Sequence, residues 1–331
     1  MALSDYRQAI VSGLKYVISQ QNARGGIQPV ENGLAAYHKV PYMLSLVGQA
    51  ERATRLCNWI EENVMDEDGD FVDPQKRQGA MADFYEYPNA WLIMGAHRLE
   101  LFRLSYRGMG FLTTLQHPGT GGFLTAGPSA GLQDRQDLLS TAVSGLACVH
   151  TGQLDVAERA GYFFGNVLES QRNRLYFYLE NTDEFVTEFE DDERVNHCLT
   201  LGRPHQWYFM PGLAACFLAK LYEATEEEQF MDVAQGYVQF SDSSGDDRYD
   251  PVRSGFFGLA AALLYSMTDV THYREIAESV AESITDAQMS NGSWAEASMG
   301  YVPPAPIVDA TAENVIVLHG ILQVLGSTAE R

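Results

Sequence analysis

Six polar side chains occupy equivalent places in the sequence, because each precedes an apolar run of the kind found in buried helices. Apolar residues dominate the next two helical turns of every run. The pattern therefore predicts a ring of polar groups above an apolar funnel, which is the general arrangement of a ligand pocket. The alternative is that these residues only start helices and face loops or solvent. The six residues are His38, Tyr85, Asp137, Tyr208, Arg253 and Glu313.

Acid–base catalysis is the chemistry that these residue types could perform. Asp137 and Glu313 could be an acid and a base, since burial raises the pKa of one carboxyl while a cation such as Arg253 keeps another ionised. His38 titrates near neutral pH and could take either role. We therefore predict Asp137, Glu313 and His38 as catalytic residues. The competing interpretation is that each is a buried group paired with a neighbour.

Aromatic and polar residues beside the same helix starts predict a substrate-binding surface. Aromatic rings there could face a carbocation, a polyene or a sugar, but they could equally be core between helices. The predicted substrate-binding residues are Tyr37, Tyr85, His205, Trp207, Tyr208, Arg253 and Phe256.

Two segments carry oxygen, nitrogen or sulfur ligands without the spacing of a known metal site. The aspartates of segment 66–73, DEDGDFVD, alternate like the first half of a calcium loop, but the later glutamate is missing, so a capped turn is the simpler interpretation. His197, Cys198 and His205 match no zinc pattern. We predict neither a metal site nor another cofactor.

Composition limits the partners of the chain, which has 331 residues and a formal net charge of −22. Such an acidic surface repels phosphate backbones, so we expect no nucleic-acid partner. No run of about 18 uncharged apolar residues is present, and we expect no membrane span. A small-molecule substrate and a monomer or homodimer remain as the expectation.

The N-terminus and the cysteines favour a cytoplasmic protein. The first residues, MALSDYRQAI, lack a basic region followed by an apolar one, so no signal peptide is predicted. The four cysteines form no CxxC pair and do not suggest a disulfide scaffold.

Helical periodicity recurs along nearly the whole chain, in two alternating kinds of segment. One kind is amphipathic and typical of an outer helix, and the other is apolar on all sides and typical of a buried one. The first amphipathic segment and the last apolar segment lack partners, so they can pair and close a ring. We predict an all-α fold, an (α/α)6 toroid of six inner and six outer helices, as a single domain over residues 1–331.

The connections are asymmetric and locate the functional end of this ring. Inner-to-outer turns are short, whereas outer-to-inner loops are long and glycine-rich, and function usually lies where loops are long. The inner helices begin at that mouth, and their N-termini favour an anionic group there. The longest loop, about residues 171–204, is predicted to be a lid.

Three of these loops share a pattern in which glutamine precedes a glycine and an apolar or aromatic residue. The segments SQQNARGGI, TLQHPGTGGFL and QMSNGSW resemble the glutamine–tryptophan-type repeats of the terpenoid cyclase and protein prenyltransferase toroids. The resemblance implies the fold. The catalytic motifs of those families are absent: no Asp-x-Asp-Asp or Asp-Asp-x-x-Asp run, no Asp-x-Cys zinc element, and no Cys-Gly-Glu-Gln thioester run.

Three functions fit a toroid of this kind. The leading hypothesis is a cofactor-independent cyclase or isomerase that uses acid–base chemistry on a small, largely hydrophobic metabolite such as a terpenoid or polyene. The alternative is a carbohydrate-active enzyme, that is, an epimerase, glycoside hydrolase or lyase. The third is a non-catalytic binding or scaffold protein. The shape of the pocket distinguishes them, since a deep apolar cavity favours the first and an open polar cleft the second.

Overall fold

A computed structural model describes residues 3–27, 33–73, 84–127, 134–181, 184–294 and 307–328. Its inner helices are α3 (Val40–Leu46), α5 (Tyr87–Arg98), α7 (Leu138–Thr151), α10 (Phe209–Thr225), α12 (Gly255–Thr268) and α14 (Ile307–Thr328). Its outer helices are α1 (Leu3–Gln20), α4 (Ala50–Asn63), α6 (Phe102–Leu112), α8 (Leu154–Glu169), α11 (Glu228–Asp242) and α13 (Thr271–Asp286). Two short helices, α2 (Gly33–Tyr37) and α9 (Arg194–His197), lie in the connections.

The inner helices form a closed ring. Each packs against the next in chain order, and α14 packs back against α3. The outer helices pack on the inner ones, and α1 lies against α14, so the two ends of the chain close the circle. The predicted (α/α)6 toroid is confirmed.

The two layers follow from the distribution of apolar residues. In α7 every residue from Leu138 to Cys148 is buried, as expected of a helix surrounded by protein. In α13 the buried residues are confined to one stripe along the helix, namely Ile276, Ala277, Val280, Ala281 and Ile284. One stripe of this kind is enough to hold an outer helix on the ring.

The repeated glutamines tie neighbouring hairpins together. Gln116 Nε2 donates to Gly121 O at 2.8 Å in its own loop and to Val156 O at 2.9 Å in the next outer helix. The same double hydrogen bond recurs at Gln21, which bonds Gly25 O and Arg52 O, and at Gln288, which bonds Gly292 O and Ala9 O. The motif that carried the family resemblance is therefore a structural clamp around the ring.

The glycine of this clamp touches the backbone of the adjacent outer helix. Gly121 has φ +83°, and a Cβ there would lie 2.3 Å from Arg159 O. We expect Gly121→Ala to destabilise the fold by about 2–3 kcal/mol, since it adds an unavoidable backbone clash to left-handed strain. Gly152→Ala is the control, because Gly152 has φ +76° but no atom within 4 Å of the added Cβ. If urea unfolding shows that both variants lose the same free energy of unfolding, the close contact at Gly121 is unimportant.

Short strands that the sequence did not predict lie in the third and fourth outer-to-inner connections, which join α6 to α7 and α8 to α10. Strand β1 (Gln136–Asp137) pairs antiparallel with β3 (Tyr178–Glu180), which pairs with β4 (Glu184–Phe185). Strand β2 (Arg174–Tyr176) pairs antiparallel with β5 (Cys198–Thr200). Because β1 leads directly into α7, its pairing with β3 holds the fourth connection against the start of an inner helix. Its role as a lid stays a prediction.

Two expectations about the environment of the chain can be compared with the structure. All four cysteines are buried and free, consistent with the expected lack of a disulfide scaffold. Within the described ranges, one helix, Ile307–Ser327 in α14, is long and apolar enough to cross a membrane, and half of it is buried in the protein. The core helix of a soluble protein meets the same criterion.

Candidate active site

A buried cluster of charges lies at the long-loop mouth, between the first and the last inner helix. Lys39, in the turn before α3, places its Nζ 2.8 Å from Asp309 Oδ2 and 2.6 Å from Glu313 Oε2. Asp309 and Glu313 are one turn apart on α14, so both carboxylates face the same ammonium group. His38 completes the cluster, with Nε2 3.5 Å from Asp309 Oδ1. We call these four residues the mouth quartet.

The members of the mouth quartet differ in their access to solvent. The side chains of Lys39 and Asp309 are 5% and 8% exposed, whereas that of Glu313 is 28% exposed. Burial alone would lower the pKa of Lys39, but the carboxylates of Asp309 and Glu313 outweigh it and hold that pKa well above its ordinary value. Lys39 is therefore a permanent cation, and Glu313 is the carboxylate that a ligand can reach.

The neighbours of the quartet fix its geometry. His38 Nδ1 lies 2.9 Å from Leu34 O, so both ring nitrogens of His38 face oxygen atoms. The Tyr87 ring lies 5.3 Å from Lys39 Nζ and 5.5 Å from the His38 ring. Burial raises the pKa of the Tyr87 hydroxyl, which stays neutral beside the cation.

The sequence alignment of the helix starts was wrong for Glu313. The other five polar residues stand within two positions of an inner helix, but α14 is already helical at Ile307, so Glu313 lies more than one turn inside it. The apolar run that begins after Glu313 was taken as the helix start, although the helix includes polar residues before it. The first turn of α14 contributes Asp309 instead, a site residue that the sequence analysis missed.

Asp137, predicted as a carboxyl whose pKa is raised by burial, lies at the start of α7. It caps the N-terminus of α7, where the Ser140 amide donates to its Oδ1 at 2.7 Å. Its Oδ2 has no hydrogen-bond partner among the described residues, and the residue is completely buried. Burial raises the pKa of Asp137 to about 7, although the hydrogen bonds from Ser140 favour the charged form and oppose this rise. Glu313 is paired with Lys39 rather than with this carboxyl.

A second polar cluster joins three of the predicted binding residues to Asp247, which the sequence analysis did not select. Tyr208 donates its hydroxyl to Asp247 Oδ1 at 2.5 Å, and His205 Nδ1 lies 3.0 Å from Asp247 Oδ2. Arg253 Nη1 lies 3.9 Å from the same oxygen, and its guanidinium lies 5.5 Å from the Trp207 ring.

The two ends of this cluster differ in exposure. The Tyr208 side chain is buried, whereas His205 is 74% exposed and adopts φ +58°. Hydrogen bonds from Tyr208 and from the His205 amide, together with the charge of His205, outweigh partial burial and lower the pKa of Asp247. The cluster therefore binds the loop before α12 to the start of α10 and leaves an imidazole at the surface.

The remaining predicted binding residues are buried. Tyr85 donates its hydroxyl to Asp70 Oδ2 at 2.5 Å, and Tyr37 packs edge-on against Trp59 of the outer helix α4. Phe256 on α12 lies 6.0 Å from Trp91 on α5, which is the helix on the opposite side of the ring. Tyr42 on α3 and His150 on α7 also meet inside the ring, with ring centroids 5.8 Å apart. These pairs lie inside the ring of inner helices.

The suggested metal ligands do not converge. In segment 66–73, Asp66 Oδ1 accepts from the amides of Asp68 and Asp70, which is the capped turn expected as the simpler interpretation. Asp70 is bound to Tyr85, and Asp73 Oδ2 accepts from Leu34 N at 2.8 Å. In the part of the chain that the structure describes, no group of three or more histidine, cysteine or acidic side chains could hold a metal ion.

Comparison with known proteins establishes the fold. No family model matches the chain, and no curated protein matches it. Among solved structures, D-mannose isomerase aligns with TM-score 0.68 and 11% identity over 96% of this chain and 97% of that one. The GH76 α-mannanase of Bacteroides thetaiotaomicron gives TM-score 0.65 and 12% identity over 98% and 97%.

A type II terpene cyclase from Scytonema, in complex with geranylgeranyl dihydroxybenzoate, aligns with TM-score 0.63 and 12% identity over 97% of this chain and 99% of that one. The resemblance to the terpenoid cyclase toroids is thus confirmed at the level of the fold. Because sugar-processing enzymes share the same architecture, the fold does not choose between the two chemistries.

Proposed function

We propose that this chain is a cofactor-independent acid–base enzyme, an isomerase or epimerase, that acts on a small carbohydrate-like substrate at the long-loop mouth. The observation that carries the proposal is the mouth quartet, in which a partly exposed carboxylate lies beside a buried, permanently charged ammonium. Buried charges of this kind, grouped near an opening, are more frequent at active sites than elsewhere.

The quartet suits proton transfer beside a carbonyl group. Glu313 would remove the proton from the carbon next to the carbonyl, while the Lys39 ammonium stabilises the negative charge that develops on the oxygen. Transfer of that proton to the carbonyl carbon, with the hydroxyl proton moving from one oxygen to the other, gives an isomer, and return of a proton to the opposite face of the original carbon gives an epimer. No electrons leave the substrate, so the reaction needs no redox cofactor.

A polar substrate fits the mouth better than a terpenoid does. A hydrophobic polyene needs an open apolar funnel, but Trp91 and Phe256 meet across the ring within the first two turns below the mouth. Asp137, with a pKa of about 7, is too weak an acid for protonating a carbon–carbon double bond. Both observations favour the carbohydrate alternative over the hydrophobic one.

Glycoside hydrolysis is a poorer match than isomerisation. The two carboxyl groups of a glycosidase flank the scissile bond, and one of them must hold a proton. Asp309 and Glu313 instead lie on one face of one helix and share one ammonium. This arrangement places both carboxylates on the same side of a ligand.

Proton exchange in D2O tests the proposal. The protein is incubated with neutral, acidic and amino sugars, and NMR follows deuterium entering the carbon beside the carbonyl. Glu313→Gln is expected to reduce the exchange rate by about 100-fold or more, because it removes the base. Glu223→Gln is the matched control, since Glu223 pairs with Lys220 on the surface of α10.

Two outcomes would contradict the proposal. One is a Glu313→Gln variant that exchanges protons at the rate of the parent protein. The other is an absence of exchange with every sugar, together with turnover of a prenyl substrate, which would restore the hydrophobic-metabolite hypothesis.

A further inference from the structure

A groove of about 410 Å³ lies where the C-terminal end of α8 meets the strands of the fourth connection. None of its lining residues belongs to the mouth quartet or to the Asp247 cluster. A volume of this size is in the range of small-molecule sites. The groove is lined by Ser170, Gln171, Arg172, Asn173, Arg174, Tyr176, Phe185, Thr187 and Thr200.

The groove is cationic in a protein with a net charge of −22. It contains the guanidinium groups of Arg172 and Arg174, and no acidic residue is among its lining residues. Burial raises the pKa of the neighbouring Cys198 thiol, and the charges of Arg174, Arg194 and Arg203 all oppose that rise. Several positive charges therefore surround this part of the paired strands β2 and β5.

The walls of the groove combine aromatic rings with small hydrogen-bonding groups. The half-buried Tyr176 and Phe185 rings stack with centroids 6.4 Å apart. Arg174 Nη1 donates to the Tyr176 hydroxyl at 3.2 Å, so the guanidinium is held beside the ring. Hydroxyl groups of threonine both donate and accept, as do the hydroxyls of a sugar.

The floor of the groove is held by Gln171. The Tyr176 amide donates to Gln171 Oε1 at 2.5 Å, and Gln171 Nε2 donates to Val167 O at 3.3 Å in the last turn of α8. The strand that carries Arg174 is thus fixed to the outer helix. A preformed site of this kind requires little ordering when a ligand binds.

We propose that this groove binds a carboxylate-bearing sugar of the uronic acid class. The guanidinium groups of Arg172 and Arg174 pair with the carboxylate, the aromatic wall contacts the apolar face of the sugar ring, and the threonines bond its hydroxyls. The binding site is separate from the mouth and does not depend on the proposed activity.

Saturation-transfer NMR with D-glucuronate tests the site, with D-glucose and acetate titrated in parallel. Glucuronate is expected to bind more tightly than either, since only it offers both the ring and the charge. Arg174→Gln is expected to weaken glucuronate binding by about tenfold or more. Arg274→Gln on α13, an exposed arginine paired with Glu278, is the control and should bind as the parent does.

Three outcomes would overturn the proposal. Equal binding of acetate would reduce the groove to a simple anion site, and equal binding of glucose would remove the role of the arginines. Loss of glucuronate binding in Glu313→Gln would place the ligand at the mouth instead. Retained binding in that variant, with sugar exchange abolished, separates the groove from the proposed active site.

Discussion

Replacing Lys39 by methionine is expected to destabilise the fold by about 3–5 kcal/mol, because Asp309 is then left as a buried charge without its partner. Lys39 is 5% exposed and bridges two carboxylates of α14. Methionine fills a similar volume, so the loss of stability results from the missing charge rather than from altered packing. Urea unfolding at pH 8 measures the difference in the free energy of unfolding.

Two comparisons separate the charge effect from a general loss of stability. Lys220→Met removes an ammonium that also lies 2.6 Å from a glutamate, but that pair is 37% and 43% exposed, and a cost below about 1 kcal/mol is expected. In Lys39→Met the unpaired Asp309 can escape its burial by binding a proton. The loss should therefore be smaller at pH 5 than at pH 8 and should shrink when Asp309→Asn is added. A loss that is independent of pH would contradict this account.

Ionisation of Asp137 is expected to lower the free energy of unfolding of the parent protein by up to about 4 kcal/mol between pH 4 and pH 7, and Asp137→Asn is expected to abolish this loss. Burial raises the pKa of Asp137 from 3.8 to about 7, so the folded protein keeps a proton that the unfolded chain has already released. Folding therefore takes up a proton in this window. The contribution of Asp137 to stability is highest below pH 4, falls as the pH rises through the window, and is constant above about pH 7.

The asparagine variant keeps the helix cap and loses the ionisable group, since an amide oxygen can still accept from the Ser140 amide. Above pH 7 it should be more stable than the parent, whereas below pH 4 the two should be similar. Asp134→Asn changes an exposed aspartate three residues earlier and should not alter the pH profile. Parallel profiles for the parent and Asp137→Asn would show that burial does not raise the pKa of Asp137.

The layers of the toroid were predictable because they depend on composition over whole helices. A segment such as Gly255–Thr268 is apolar on all sides and can only be buried, whereas α13 has a single stripe. The short strands were not predictable in the same way. Strands β1 and β4 have two residues each, too few for an alternating pattern.

The mouth quartet, which we propose as the site, contains two of the residues selected from the sequence and two that were missed. His38 and Glu313 were selected and do meet in one cluster. Lys39 was missed because a lysine beside an apolar run is usually solvent-exposed. Its partner Asp309 is 270 positions away in the sequence, and a single chain contains no signal that joins the two. The spacing of Asp309 and Glu313, four residues apart on one helix, was the available clue.

The position of the mouth quartet also affects how the protein is made. Two members, His38 and Lys39, lie in the turn before the first inner helix, and the other two belong to the last inner helix. During synthesis the N-terminal helices emerge first and must wait for α14 before their charges are neutralised. A chain truncated before residue 307 therefore lacks half of the site and leaves Lys39 without its carboxylates. Under the proposed function such a chain also lacks its base, Glu313, and would be inactive.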